Sequence, residues 1–447
     1  MKNVNRIFLI LLFLNLSEVI RVLLFFIDLP SIVTSIGTFV LVLVYVIINM
    51  KTFIKLLRYK VFNIWIVLIL IIPSISFVIN YDRGFLVSAD FFYWLSFNAL
   101  FGLLFIFSAM MAYSVPTKWI FYLVWMCILS TIIGFYVNYA NPEFIRRLGE
   151  LTGSTLASVV YGSEETRNMS FFPHPNAAAF SIVSYFILLF TTYPENVKSI
   201  KFYIVLAVLM LAMVSITGSR TSLIISVVIL FLYVRPLITK IINVTYKNNS
   251  GLIKMLLYSG LLIGASIGVL VLYVMSESTM ANGFSKVGSR FSIFSSLFDP
   301  SKDLKDESLD ERTAIVGVYL KYIGENLLFG YGPVFRDNKI SNGEFENVSQ
   351  NAYLEGAFVY GLFYPVYFFY INFKTYIMSK ASVYKNYFVF NSLTVFMMFL
   401  FILSFSVNDL FWNRALVIVL GLLIGIYLRR RVNVEQEMQP ALQQSAK

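Results

Sequence analysis

Apolar runs, each near the ~20 residues a helix needs to cross a bilayer core, recur along the whole chain and are parted by short polar stretches. The pattern predicts spans at about 7–27, 31–50, 61–80, 94–113, 119–139, 176–193, 202–219, 221–235, 253–275, 351–371, 387–405 and 411–428. One interruption is much longer than the rest. Residues 276–350 hold eleven acidic and eight basic residues between two apolar runs, and a loop of that length is expected to serve as a lid or a binding surface. Within it, Ser308-Leu-Asp-Glu311 has the capping-box pattern, which predicts a helix over 312–328 closed by Gly330 and Gly332. Ile315, Val318, Tyr319 and Tyr322 share one face of that helix, and Lys321 and Glu325 interrupt it. It is too short and too charged to span, so it is expected to lie along the membrane interface and roof a site. A second polar segment, 140–175, belongs to the same side. The tail, 429–447, is polar and Gln-rich and is expected to fray in the cytoplasm. No internal repeat is visible, and 1–447 reads as a single integral membrane domain.

Composition agrees with the pattern. A chain of 447 residues that is 58% hydrophobic and 13% charged, with 44 Phe and 28 Tyr, lies outside the soluble range. The fold class is therefore an all-α polytopic membrane protein with about twelve transmembrane helices. The net charge of +11 changes the picture only through its placement. With a cytoplasmic amino terminus, the inner segments hold 20 of the 35 Lys and Arg and three acids, Glu195, Glu435 and Glu437. That asymmetry predicts both termini inside and 140–175 and 276–350 outside. The basicity is then a topology signal with anionic lipid contact, not a nucleic-acid surface. Cys127 is the lone cysteine, so no intrachain disulfide can form. Tyr93, Trp94, Trp119 and Trp412 fall near span ends, as interfacial belt residues do.

The candidate chemistry sits where spans begin. Three of the helices that run inward from outside open with polar motifs: Pro173-His-Pro-Asn176, Gly218-Ser-Arg-Thr221 and Val348-Ser-Gln-Asn351. Such ends present unpaired N–H groups and the positive end of the helix dipole, which favour phosphate. Capping alone explains any one of Asn176, Ser219 and Asn351; three on one face make a stronger case. Fixed positive charge nearby would come from Arg167, Arg220, Arg290, Arg312 and Arg336, Arg220, Arg290 and Arg312 foremost, because arginine stays charged and forks two donors onto phosphate oxygens. Arg336 also has Asp337 beside it as a surface partner. A base is offered by His174, held between two prolines, or by Glu355, one turn inside a span; Glu150, Glu164 and Glu165 are further carboxylates. Glu18 and Arg21 read as a local pair, and Asp409 and Arg414 as a pair or an extension of the pocket. No Asp-x-Asp motif occurs on the outer side, so no metal or other cofactor is expected.

The run Met169-Ser-Phe-Phe-Pro-His-Pro-Asn-Ala-Ala-Ala179 resembles the Pro-Asn segment of the O-antigen polymerase/ligase superfamily. Thr217-Gly-Ser-Arg-Thr-Ser222 is similar to its Ser-Arg helix junction. Arg312 followed by Phe329-Gly-Tyr-Gly332 resembles the arginine and glycine-rich close of its large periplasmic loop. Gln350-Asn-Ala-Tyr-Leu-Glu-Gly-Ala-Phe-Val-Tyr-Gly361 resembles the motif that follows. The resemblance begins at about Asn168 and covers the back two-thirds of the chain. It implies a membrane glycosyltransferase of GT-C-like architecture that joins oligosaccharide units carried on undecaprenyl diphosphate, with a chain-length regulator protein as a further partner. His174 and Glu355 would then be catalytic, and the five arginines, Asn176, Gln350 and Asn351 would bind substrate. One departure matters. Many ligases of the superfamily have histidine before the asparagine, where this chain has Gln350, which cannot act as a base. The departure favours a polymerase over a ligase. A lipid-linked oligosaccharide flippase is the alternative of a different class, but it would be expected to show repeat symmetry and midplane charges.

Overall fold

The computed structural model describes residues 2–27, 31–82, 91, 94–141, 143–144, 147–148, 168–172, 174–192, 200–219, 221–230, 232–233, 307–332, 335, 351–380, 387–405 and 413–445. All regular structure among them is helical. In chain order the main helices are α1 (Lys2–Leu16), α2 (Val19–Ile27), α3 (Ser31–Ile48), α4 (Met50–Leu56), α5 (Lys60–Tyr81), α6 (Leu100–Ser114), α7 (Thr117–Ala140), α8 (Pro175–Thr192), α9 (Ile200–Ile216), α10 (Thr221–Leu230), α11 (Glu307–Glu325), α12 (Ala352–Tyr360), α13 (Phe363–Lys380), α14 (Tyr387–Leu403) and α15 (Arg414–Ser445). By length and apolarity α5, α7 and α8 each suffice to cross a bilayer. The expected span at 253–275 lies outside the described residues.

The bundle shows its solvent in what it leaves exposed. Along α7, Tyr122, Met126, Leu129, Ile133 and Tyr136 form an exposed stripe at helical spacing, while Leu123, Val124, Cys127, Ile128, Thr131 and Phe135 are buried on the other face. A water-soluble helix would carry charge on its outer stripe; this one carries hydrocarbon and aromatic rings, as a lipid-facing helix does. The interior is built around α6, which is buried on nearly its whole circumference. Against it lies α15, whose Gly421 and Gly425 leave no room for a Cβ beside Ser108 and Ala109. Small residues at this four-residue spacing let two helix backbones approach closely, which is how helices associate where water supplies no driving force.

Four expectations change. The run 7–27 is broken at Ser17-Glu18, where Glu18 takes a left-handed φ of 57°. The run 31–50 ends at Asn49, beyond which α4 turns by 83°. The run 351–371 is two helices, because the chain folds back at Gly361-Leu362. Tyr353 meets Phe368 at 5.6 Å between ring centroids, and Gly356 lies against Tyr364. In one continuous helix, Tyr353 and Phe368 would stand roughly 22 Å apart along the axis. The fourth change is the tail, which continues α15 as helix to Ser445 instead of fraying; its Glu, Gln, Met, Ala and Leu are strong helix formers.

The loop helix α11 begins at Glu307, five residues before the predicted start at 312, so Ser308–Glu311 form its first turn rather than precede it. Tyr319 and Ile323 are buried and Ile315 and Tyr322 half-buried, whereas Val318 is exposed. The packed face is thus turned slightly from the expected one.

Candidate functional site

Three of the polar helix starts lie at one end of the bundle. Toward the other end, Phe190 of α8 meets Tyr233 at 4.5 Å, and the Tyr233 hydroxyl donates to Ser392 Oγ of α14 at 2.9 Å. Counted from that layer at 1.5 Å per residue, the starts of α8 and α10 and the end of α14 all stand about 16–23 Å away. Ser404, just past α14, accepts from Ala352 N at 2.8 Å, which brings the start of α12 to the same level. Asn413, before α15, donates to Ala177 O at 3.3 Å and so joins them.

At the α8 start, Pro175 occupies the first helical position, where its missing N–H costs nothing. His174 caps the helix: its Nδ1 accepts from Asn176 N at 3.1 Å. While that bond holds, the neutral ring carries its proton on Nε2. His174 is then placed to donate from Nε2, and it can take up a proton only by giving up the cap. The Asn176 side chain is half-buried. At the α10 start, Gly218 turns the chain with a φ of 65°, and Ser219 Oγ donates to Ser222 Oγ at 2.9 Å.

At the α12 start, Asn351 Oδ1 accepts from Tyr353 N at 2.9 Å and Leu354 N at 3.2 Å, so Asn351 serves as an N-cap through its own side chain. One turn on, Glu355 is 1% exposed, and its Oε2 accepts from the Tyr319 hydroxyl at 2.9 Å. Tyr319 comes from α11, so the loop helix is tied to α12 by a buried hydrogen bond. Arg312 stands two turns before Tyr319 on α11.

The α11–α12 junction is closed by backbone. Tyr331 N donates to Phe358 O at 2.9 Å, Gly332 N to Val359 O at 3.0 Å, and Leu362 N to Leu327 O at 2.8 Å. From α5, Ser76 Oγ and Asn80 Nδ2 both reach Phe329 O, at 2.8 and 3.1 Å. Gly361, with a φ of 86°, packs directly on the Leu328 carbonyl, where a side chain would not fit. Burial, and then Glu325 nearby, raises the Tyr331 phenol above its usual pKa. The glycine-rich segment Phe329–Gly332 is therefore a buried seam holding α11 over the α12 hairpin.

Of the sequence candidates, His174, Asn176, Asn351 and Glu355 gather at this end, and Arg312 lies on α11. Arg167, Arg220, Arg290, Arg336 and Gln350, with Glu150, Glu164, Glu165 and Asp409, lie outside the described residues. Tyr319 was not singled out as a site residue. Its partner stands 36 residues away, and only the apolar face of α11 hinted that Tyr319 packs inward.

The fold is that of an all-α, multi-pass membrane protein whose polar helix starts cluster at one end of the bundle. Residues 205–369 match the family model described as O-Antigen ligase. The match places this region in the O-antigen polymerase/ligase superfamily, with the Ser-Arg junction, the large loop and the Asn351 motif all inside it. No curated protein matches the chain.

Proposed function

We propose that this protein is a membrane glycosyltransferase that polymerises undecaprenyl-diphosphate-linked oligosaccharide units into O-antigen or a related surface polysaccharide, at the outer face of the bacterial cytoplasmic membrane. The observation that carries the polymerase reading within the superfamily is Gln350 ahead of the Asn351 cap. Glutamine can orient a sugar hydroxyl but cannot deprotonate it. In this reading an acceptor hydroxyl attacks the anomeric carbon of the donor, and the bond to the diphosphate breaks. Undecaprenyl diphosphate leaves with the electron pair, and the hydroxyl proton passes to Glu355, held in place by Tyr319. His174 donates from Nε2, and Asn176 and Asn351 line the approach. Arg220, Arg290 and Arg312, with Arg167 and Arg336 around them, stabilise the charge that develops on the leaving diphosphate.

The ligase reading is favoured by the description of the matching family model. Purified protein given only lipid-linked repeat units separates the two. A polymerase extends them into long chains on undecaprenyl diphosphate, also in excess EDTA, because arginines rather than a metal neutralise the leaving group. A ligase yields no product until lipid A core is added, and that result would replace the polymerase assignment.

A further inference from the structure

A second cluster of charge lies at the same end of the bundle, on residues to which the reaction above gives no task. The break between α1 and α2 at Ser17-Glu18 turns Glu18 and Arg21 into the interior. Glu18 is buried at 6% exposure, and 14% of the Arg21 side chain is exposed. The Arg21 Nε stands 3.8 Å from Glu18 Oε2, an ion pair longer than a hydrogen bond. Arg414, the first residue of α15 and half-buried, has a charge felt repulsively at Arg21. Its Nη2 donates to Ser35 Oγ of α3 at 3.3 Å. Among the described residues these are the only side-chain partners of the two arginines.

Among the described residues the charge there does not balance. Glu18 pairs with Arg21 alone, Arg414 stands close enough for its charge to repel that of Arg21, and of the ten N–H donors of the two arginines only one makes a hydrogen bond within the described residues. Partly buried positive charge is costly where no counter-ion meets it, and an anion held between the two arginines would relieve that cost. The level is that of the α8 start, since Asn413, next to Arg414, bonds Ala177 O. On the flank, Leu23, Phe26 and Ile27 of α2 and Val33 of α3 are exposed hydrocarbon and aromatic surface. An anion with an apolar tail fits such a place better than a free ion does.

We infer that Arg21 and Arg414 form a binding site for the phosphate or diphosphate head of a membrane lipid, with Glu18 setting its affinity by competing for Arg21. Two planar forks suit the oxygens of a phosphate. The source is either the polyprenyl diphosphate carrier or a phospholipid headgroup. The site is argued without the polymerase reading and is tested without turnover.

The test uses full-length protein in detergent and native mass spectrometry, which counts bound lipids while undecaprenyl diphosphate or dioleoyl phosphatidylglycerol is titrated. Wild type is expected to hold one more phosphate-bearing lipid than R21Q or R414Q, whose affinity for it falls at least tenfold. E18Q should bind it at least threefold more tightly, because it removes the competing anion. Loss of the undecaprenyl species identifies a carrier site, and loss of the phosphatidylglycerol species a headgroup site. If the arginine variants do not fold, E18Q alone decides. Equal affinity in E18Q and wild type overturns the inference. So does equal lipid count and affinity across folded variants, with R414Q and D409N melting early together, which would make Asp409 the counter-ion of Arg414. Absence of polymer synthesis with the lipid count intact would instead count against the enzymatic reading alone.

Discussion

His174 illustrates how a single hydrogen bond limits what a residue can do. Its Nδ1 is committed to Asn176 N, so the ring is set to donate rather than to abstract a proton. In the proposed reaction, Glu355, buried and bonded to Tyr319, then takes the part of the base. Capping and chemistry can be separated at His174 by substitution. Asparagine is among the best N-caps, so H174N should melt within about 0.5 kcal/mol of wild type, while H174A loses roughly 1 kcal/mol. Both should lower polymer output at least tenfold, read as the surface-polysaccharide ladder of a complemented deletion strain. A wild-type ladder from H174N would reduce His174 to a cap. From sequence, the candidates His174, Asn176, Asn351 and Glu355 were legible because a polar residue at the start of an apolar run is conspicuous. Tyr319 as the partner of Glu355, and Arg414 as the third charge beside Glu18 and Arg21, were not. Each depends on which helices become neighbours, and local spacing carries no record of that.

At the scale of elements, the positions of helices followed from apolar run length, whereas their breaks did not. Gly361 stands inside an apolar stretch and looks like a tolerated helix glycine. The turn there is imposed from outside, by the hydrogen bonds of Tyr331, Gly332 and Leu362 and by the Leu328 carbonyl beneath it. Two kinds of glycine should therefore answer oppositely to alanine. G361A meets both a positive φ and a backbone carbonyl, and should cost at least ~2 kcal/mol. G317A and G324A on α11 add a Cβ into open space and should be neutral or stabilising by up to ~1 kcal/mol. Unfolding midpoints of the purified variants check this. A tolerated G361A would show that the α12–α13 hairpin does not hold in the protein.

At the scale of the whole molecule, the exposed apolar stripe of α7 and the close α6–α15 contact are those of a bundle dissolved in lipid. The distribution of Lys and Arg predicts an orientation with both termini inside. A cysteine introduced at Ser301 should react with an impermeant thiol reagent on intact spheroplasts, and one at Asn248 should not. The native Cys127 is fully buried and should stay silent in both. The opposite labelling pattern would invert the molecule and move the site to the cytoplasmic face.

If the polar end of this bundle extends a lipid-linked polysaccharide, its loss must show in the surface-polysaccharide ladder of a strain lacking the protein. In a host that makes lipopolysaccharide, that strain should carry lipid A core bearing a single repeat unit and no longer chains. Long polymer accumulating on undecaprenyl diphosphate with none on core would contradict it and assign the protein to the ligase side of the superfamily.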